Sequence, residues 1–567
     1  MIKAGELRTL KDIILKKCDE YGSKIAFLEK SKVAKKFEEI TYAKLKEDTM
    51  ALATALLVKF NLKDEKIAVI GENSYRWYMS YLAVTTGVGV VVPLDKELPS
   101  NEIENLLNRS KAKCIIYSSK KEDVIFEIKD KVNKDIIYIN MDKKTNDDKS
   151  YALKDIIKEG KEYLDKGDTS YIDYDYSADD FRTLLFTSGT TAEAKGVMLC
   201  HRNVIANLEG APGLLKVYPK DRFFSVLPMH HIYESIVGTM YPLVNGASVA
   251  ICTGLKYVSQ ELQETKPSVI VGVPLLLEHM YSKISKTIKA QGKEKLVSKM
   301  TKLTDGLGKA GYKLKKVVFK QIHDALGGRL RTVLVSAAPV PKELVTNFEG
   351  FGINVLQGYG LSETAPVVAG TPEEKRVAGT VGFASNCEIR LENMDDKGIG
   401  EICVKGPNVM LGYFENEQAT KEAIVDGWFH TGDLGRFDDK GNLIITGRCK
   451  SVIVTPNGKN IFPEEIEDEI NKFPEIKECL VYGEETKDDT VLSAVVTLDE
   501  EYLKETYGKN IPDLKKIKEI IWEKIKELNQ KMVSYKAVKN LKIRTTDFAK
   551  TTTMKIKRFL DSNKKGE

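Results

Sequence analysis

Four hydroxyl side chains, two glycines and a lysine follow a short apolar run in "LLFTSGTTAEAKG", Leu184 to Gly196. Small donors beside one flexible cation suit an anion, because hydroxyls and the N–H groups of a glycine-rich turn can converge on phosphate oxygens. A nucleoside triphosphate is therefore the first candidate ligand. The commonest phosphate loop, G-x-x-x-x-G-K-[ST], does not fit: Ala194 holds its second glycine position and Gly196 follows Lys195. A Ser/Thr/Gly cluster between periodic segments is also the usual composition of a solvated connection. This stretch alone leaves both readings open.

The elements that must carry such a loop are legible around it. Short β-branched runs alternate with helix-like segments: "KIAVIGE", "VGVVVPLD", "AKCIIYS", "DIIYIN", "ASVAIC", "PSVIVGVP", "LRTVLVSAA" and "INVLQGYG". Alternation of this kind implies an α/β class with layered, largely parallel sheets, whose ligand sites lie in loops at strand ends. Residues near 141–180 are charged and poor in apolar runs, and read as an exposed connection with a short helix. Beyond about residue 450 the pattern becomes α+β and lysine-rich, with strands "KECLVYGE" and "LSAVVTLD" and then a helix over about Asp513 to Lys531. That helix lines up Leu514, Ile517, Ile520, Ile521, Ile525 and Leu528 on one stripe. The division expected is an N-terminal domain over 1–449 and a C-terminal domain over 450–567.

The 567 residues suggest two to four domains. No stretch reaches signal-peptide form or the roughly 18 apolar residues of a membrane span, so the cytoplasm is the expected compartment. The eight cysteines include no C-x-x-C pair, which argues against structural zinc and a disulfide framework. A net charge of +5 is slight for the length and points to no nucleic-acid partner. It is uneven, however: the segment from Lys283 to Lys320 holds twelve lysines against Glu294 and Asp305. Its apolar residues recur at helical intervals, so it reads first as a solvated helical insertion, about 283–320. The second reading is a face for anionic lipid, giving peripheral association at the inner membrane surface.

Four further segments fall in order after the opening loop: "GYGLSET" (358–364), "DGWFHTGDLG" (426–435), "GRCKSVIVTPNGKNI" (447–461) and "KTTTMKIKR" (550–558). The set resembles the adenylate-forming, or AMP-binding, superfamily over nearly the whole chain. The ending is nearest the form found in bacterial long-chain fatty acyl-CoA synthetases. The resemblance implies a large N-terminal domain with a small mobile C-terminal lid. It also implies a ligase forming a carbon–sulfur bond, in which a carboxylate and ATP give an acyl-adenylate and pyrophosphate, and CoA then takes the acyl group. ATP and CoA are the implied co-substrates and Mg²⁺ the implied cofactor. Two anions must approach in the first step, so the site needs preorganised cations and donors.

Residue by residue, the resemblance assigns Thr187, Ser188, Gly189, Thr190, Thr191 and Lys195 to the β- and γ-phosphates. It assigns Ser336, Ala337 and Ala338, with Gly358, Tyr359 and Gly360, to the adenine pocket, where Tyr359 stacks. Glu363 would hold Mg²⁺, Thr364 would donate to the α-phosphate, and Asp433 and Arg448 would hold the ribose. Lys555 would bridge the substrate carboxylate and the α-phosphate, and Lys450 is the hinge. Gly458 and Lys459 would line the CoA channel. Alanines stand at 192, 337 and 338 and at 194 where relatives have glycine or proline.

The segment "FFSVLPMHHIYESIVG" fits P-x-x-H-x-x-E, with Pro228, His231 and Glu234, as in fatty acyl-CoA synthetases. His231 and Gly238 are thus expected at the acyl pocket, His231 as a wall or gate rather than a general base. Amino-acid activation would want an acidic partner for the ammonium, and no aspartate occurs from Phe223 to Gly246. A medium- or long-chain fatty acid is the expected substrate. The alternatives are an acyl-AMP ligase loading a carrier-protein thiol, an aryl or other carboxylate-CoA ligase, and a non-catalytic nucleotide-binding scaffold.

Overall fold

The structure, a computed structural model, describes all residues except 32, 188–193, 291, 293–294, 296, 298, 301–313, 455–459, 486–489, 509, 551–555, 559 and 567. The chain forms two compact units. One comprises Met1–Thr187, Lys195–Ile389 and Val404–Phe429; the other comprises Ser188–Ala194, Arg390–Cys403 and His430–Glu567.

The first unit is built on two sheets, and all eight β-branched runs named above are strands in them. One sheet has nine strands. Six neighbouring strands, from Asn354–Gly360 through Thr332–Val335, Val269–Gly272, Arg222–Ser225 and Ser248–Ile251 to Ile25–Lys30, run parallel. The other has eight strands, in the order Gly412–Tyr413, Lys195–Cys200, Phe181–Thr187, Val90–Leu94, Lys66–Ile70, Cys114–Tyr117, Ile137–Asn140 and Tyr151–Ala152. From Phe181–Thr187 onward its pairs are parallel.

Successive strand residues face opposite ways, so continuous apolar runs are buried on both faces. Phe223 joins one core cluster and Phe224 another; Ile67 and Val69 face the first cluster, Ala68 and Ile70 a third. The shared cluster contains the helices Tyr42–Val58 and Tyr75–Gly87. The outer clusters are closed by Pro274–Ala290 and Lys342–Gly350 on one sheet and by Ser100–Ser110 on the other. Each fully buried aliphatic or aromatic side chain contributes about 1.5–3 kcal/mol.

The region near 141–180 differs from the exposed connection expected. It contains a 13-residue helix, Leu153–Asp165, with Leu153, Ile156 and Gly160 buried. Gly160 lies against the helix Tyr42–Val58 so closely that a Cβ would sit 1.8 Å from the Ala51 carbonyl oxygen. Tyr171 downstream is also fully buried. Glycine served here as a contact surface, which a count of apolar residues misses. In the basic insertion, the helix Pro274–Ala290 buries Ile284 and exposes Lys283, Lys286 and Lys289, as a solvated helical face requires. Residues 301–313 of that insertion lie outside the described residues. Among the described residues no helix is long and apolar enough to cross a membrane.

The core of the second unit is a three-stranded sheet. Its middle strand, Thr490–Leu498, runs antiparallel to Ile476–Glu485 and parallel to Val538–Arg544. The helix Leu514–Lys531 starts where expected, with the Asp513 side chain accepting from the Lys516 N–H. It docks through Ile517, Ile521 and Ile525 beside Ile466 and Ile470 of the helix Pro463–Ile470. Leu514, at the open end of the stripe, is 38% exposed. The strand Val538–Arg544 was not anticipated, because its lysines interrupt the apolar alternation.

Candidate functional site

Thr187 ends the strand Phe181–Thr187 and Lys195 opens Lys195–Cys200, and the two stand opposite each other in antiparallel register. The two residues that bracket the hydroxyl-rich stretch thus stand side by side at the end of a buried strand; Ser188, Gly189, Thr190 and Thr191 lie outside the described residues. The Lys195 ammonium sits 4.6 Å from the centroid of the Tyr413 ring. The Tyr413 hydroxyl donates to Glu363 Oε1 at 3.0 Å. Cation, ring and carboxylate thus form a file drawn from three distant stretches of chain. Burial and then the Glu363 charge push the Tyr413 phenol up, so it remains a donor. Sequence reasoning missed Tyr413; its only signal was its place in "GPNVMLGYFENEQAT".

The turns carrying these groups are fixed by one helix, His201–Gly210, through two asparagines one turn apart. Asn207 donates to the Thr364 carbonyl (3.0 Å) and accepts from the Val367 N–H (2.7 Å). Asn203 donates to the carbonyls of Pro407 (2.9 Å) and Val409 (2.7 Å). Both amides are buried, at 2% and 3% exposure. Each satisfies two backbone groups in loops that lack ladder partners. Thr364 is fully buried, and its hydroxyl lies 2.8 Å from the Pro366 carbonyl while accepting from the Leu361 N–H (3.1 Å). In this conformation it ties the turn together.

Tyr359 and its flanking glycines end the strand Asn354–Gly360. Gly360 is required there: a Cβ would lie 1.8 Å from the Pro366 carbonyl oxygen. Gly358 lies beside Ser336, whose Cβ would be 3.9 Å from a Cβ on Gly358. The two segments expected at the adenine are thus adjacent. Ala337 adopts φ 76°, a left-handed conformation that favours glycine, and is exposed with Ala338.

His231 lies in the loop before the π-helical segment Tyr233–Met240. Burial, with His230 adding repulsion, pushes its imidazole down to about 3, so it is neutral and weakly basic. Gly238 is packed against Glu234, whose Oε1 would be 2.6 Å from a Cβ at 238. Glu234 is fully buried, and neither carboxylate oxygen has a hydrogen-bond partner among the described residues. Burial pushes it up to about 8 against the weaker pull of Ser225 and the Leu227 N–H. The segment expected at the acyl chain therefore does contain a buried carboxyl, but one held toward its neutral form. Sequence reading included Glu234 in the motif and gave it no role.

In the second unit Asp433 and Arg448 are register partners on paired strands, Trp428–Phe437 and Leu443–Arg448. Asp433 is buried and Arg448 Nε lies 3.0 Å from its Oδ1. The turn before Asp433 is fixed by the Thr431 hydroxyl donating to the Ile402 carbonyl (2.8 Å) and by the Gly432 N–H donating to Glu401 (3.0 Å). Lys450 follows in the short turn Cys449–Ser451 and is exposed. Burial pushes the Cys449 thiol up to about 11, which leaves it a poor nucleophile.

Gly458, Lys459 and Lys555 lie outside the described residues. The residues bracketing Lys555 are described: Lys550 and Ile556 form an antiparallel bridge, and Lys550 pairs with Glu478 at 2.7 Å. Arg558 makes a bidentate pair with Glu467 on Pro463–Ile470, one contact being 2.8 Å. Burial pushes the Glu467 carboxyl up and the guanidinium pulls it back. The last arginine of "KTTTMKIKR" thus moors the segment that carries Lys555, a role sequence reading did not assign.

Comparison with known proteins accords with this geometry. The sequence model described as AMP-binding enzyme matches residues 15–414, and that of the AMP-binding enzyme C-terminal domain matches residues 450–559. Long-chain-fatty-acid–CoA ligase 5 of Rattus norvegicus is 30% identical over 502 residues, covering 82% of this chain and 72% of the rat protein. Long-chain-fatty-acid–CoA ligase FadD15 of Mycobacterium tuberculosis is 31% identical over 418 residues, 68% of each chain. Long chain acyl-CoA synthetase 4 of Arabidopsis thaliana is 28% identical over 478 residues, 78% of this chain and 71% of that protein. Among solved structures, the anthranilate CoA ligase AuaEII in complex with anthranoyl-AMP superposes with a TM-score of 0.76 at 19% identity, covering 98% of both chains. ATP-bound MatB from Rhodopseudomonas palustris gives 0.74 at 24%, covering 97% of both, which establishes the fold.

Proposed function

The chain belongs to the AMP-binding enzyme family, and we propose that within it the protein is an ATP-dependent fatty acyl-CoA synthetase acting on medium- or long-chain acids. The observation that carries this reading is the Lys195–Tyr413–Glu363 file, which starts at the residue closing the hydroxyl-rich stretch. It sets a cation and a hard-oxygen donor beside a loop suited to phosphates. The resemblance of the rat, mycobacterial and plant relatives supports the acid.

In the first half-reaction a carboxylate oxygen bonds to the α-phosphorus of ATP and the bond to pyrophosphate breaks. Lys195 and the loop donors Thr187, Ser188, Thr190 and Thr191, with backbone at Gly189, hold the departing β- and γ-phosphates. Lys555 offsets the charge where carboxylate and α-phosphate meet, a point charge on a long stem. Tyr359, with Ser336, Ala337, Ala338, Gly358 and Gly360, receives the adenine, and Asp433 with Arg448 receives the ribose hydroxyls. The turn tied by Thr364 keeps Glu363 oriented. A carboxylate with one oxygen fixed by a phenol fits a hard cation that keeps most of its water, so Glu363 would hold Mg²⁺. When bound, Mg²⁺ neutralises charge on the phosphate oxygens.

In the second half-reaction the CoA sulfur bonds to the acyl carbon and AMP leaves, its phosphate keeping the electron pair. His231 and Gly238 shape the acyl pocket, Gly458 and Lys459 the thiol path, and Lys450 is the hinge between the domain over 1–449 and that over 450–567. The protein works in the cytoplasm, and the Lys283–Lys320 segment gives it affinity for an anionic membrane surface.

The test is AMP release with CoA across carboxylates of increasing length, beside carboxylate-dependent exchange of pyrophosphate into ATP. Turnover rising to medium or long chains supports the reading. Exchange without CoA-dependent AMP release, restored by a carrier protein, would replace CoA as the acceptor.

A further inference from the structure

Asp95, His230 and His231 meet within the first unit. Asp95 follows the end of the strand Val90–Leu94, and the two histidines lie in the loop after Arg222–Ser225. That loop is fixed by Asn73, which donates to the Leu227 carbonyl (2.7 Å) and accepts from the Met229 N–H (2.9 Å). One Asp95 oxygen is engaged by the Glu97 N–H at 2.9 Å. The other, Oδ2, lies 3.5 Å from His230 Nε2, too far for a strong hydrogen bond. The His230 side chain is only 8% exposed, and its Nε2 has no hydrogen-bond partner among the described residues. The two imidazole rings lie 4.1 Å apart, and one donor atom from each of the three residues falls within 4.8 Å of the others.

A buried ring nitrogen whose polar neighbour is a carboxylate oxygen at a long 3.5 Å is poorly satisfied, and a cation between the two would relieve it. Tetrahedral sites with bonds of about 2.0–2.1 Å keep their donors about 3.4 Å apart, close to the Asp95–His230 separation. Two imidazoles and one carboxylate suit a borderline transition cation rather than Mg²⁺ or Ca²⁺, which take oxygen ligands. We propose that Asp95, His230 and His231 form a binding site for a divalent transition cation of the Zn²⁺ class. Closing the site needs His231 to turn toward the Asp95–His230 gap, with a fourth position left for water. Binding would therefore pin His231; that consequence rests on the acyl-pocket reading above, whereas the binding itself does not.

The test uses the full chain, cleared of metal with a chelator and kept reduced, titrated with Zn²⁺ against a chromophoric competitor and separately with Co²⁺. The expected result is one cation per chain and Co²⁺ absorption in the visible without a near-ultraviolet thiolate band. Affinity should fall at least ten-fold in both His230→Gln and Asp95→Asn. The thiolate band is decisive because Glu392, Cys403 and His430 form a second cluster in the other unit. A thiolate spectrum, or unchanged affinity in both substitutions, overturns the proposal, and the Co²⁺ spectrum needs no variant to fold. Zn²⁺ should also lower acyl-CoA formation in the unaltered protein more than in His230→Gln. Site binding with equal inhibition of both proteins overturns the pinning of His231 and leaves the cation site standing.

Discussion

The two units share one bracing device, the buried amide, and differ in how much charge is added to it. In the first, buried neutral amides do the positioning: Asn203, Asn207 and Asn73 each bind two backbone groups in loops near Glu363, Tyr413 and His231. In the second, charge joins a buried amide: Arg448 pairs with Asp433, Lys550 with Glu478 and Arg558 with Glu467, while Asn563 accepts from the Ala549 N–H and donates to the Ala549 and Lys557 carbonyls. Neutral amides keep one geometry across salt and pH, and part-exposed ion pairs are weakened by both.

The largest effect expected is at Lys555. Lys555→Ala should cut pyrophosphate exchange by roughly two to three orders of magnitude, comparable to removing one transition-state donor. Transfer from pre-formed acyl-AMP to CoA should survive. Equal loss of both steps would end the division of labour assigned to the second unit. Next comes Arg558→Ala, which leaves Glu467 buried without its cation and should destabilise the second unit by about 3 kcal/mol. Calorimetry should show unfolding begin at a lower temperature, and an unchanged profile would remove the mooring role of Arg558.

Glu234 is the strongly shifted acid of the segment expected at the acyl chain. In the folded state its carboxyl keeps its proton up to about pH 8, against an ordinary value of 4.5. Between those values the folded chain binds more protons than the unfolded one, so stability falls as pH rises. Relative to Glu234→Gln, the unaltered protein should lose about 2–4 kcal/mol in urea unfolding between pH 5 and pH 8. No difference in slope would place an unseen partner on the carboxyl. The smallest effect is that of Asn207→Ala, about 2 kcal/mol from the groups left unpaired at Thr364 and Val367. This loss should be the same at low and high salt.

Much of the architecture was legible because periodicity carries it. The eight apolar runs became parallel strands since residues buried on both faces have no polar alternation to disguise them. The helix at 514–531 was readable from the spacing of its apolar stripe. The helix Leu153–Asp165 was understated because its contact surface is a glycine, and the strand Val538–Arg544 was missed because lysines break its pattern. Within the site, motif residues such as Glu363, Tyr359, Asp433 and Arg448 stood out by order in the chain. Tyr413, Asp95 and the two bracing asparagines did not, since each acts through neighbours far away in sequence.

By itself, then, the sequence determined the layered α/β frame and the motifs that name the candidate residues for phosphate, ribose and acyl chemistry, because residue type and period are local properties. Tertiary structure decided that a tyrosine links Lys195 to Glu363, that Arg558 moors its segment on Glu467, and that Glu234 is kept from ionising. These depend on distance and burial, which only the folded chain sets.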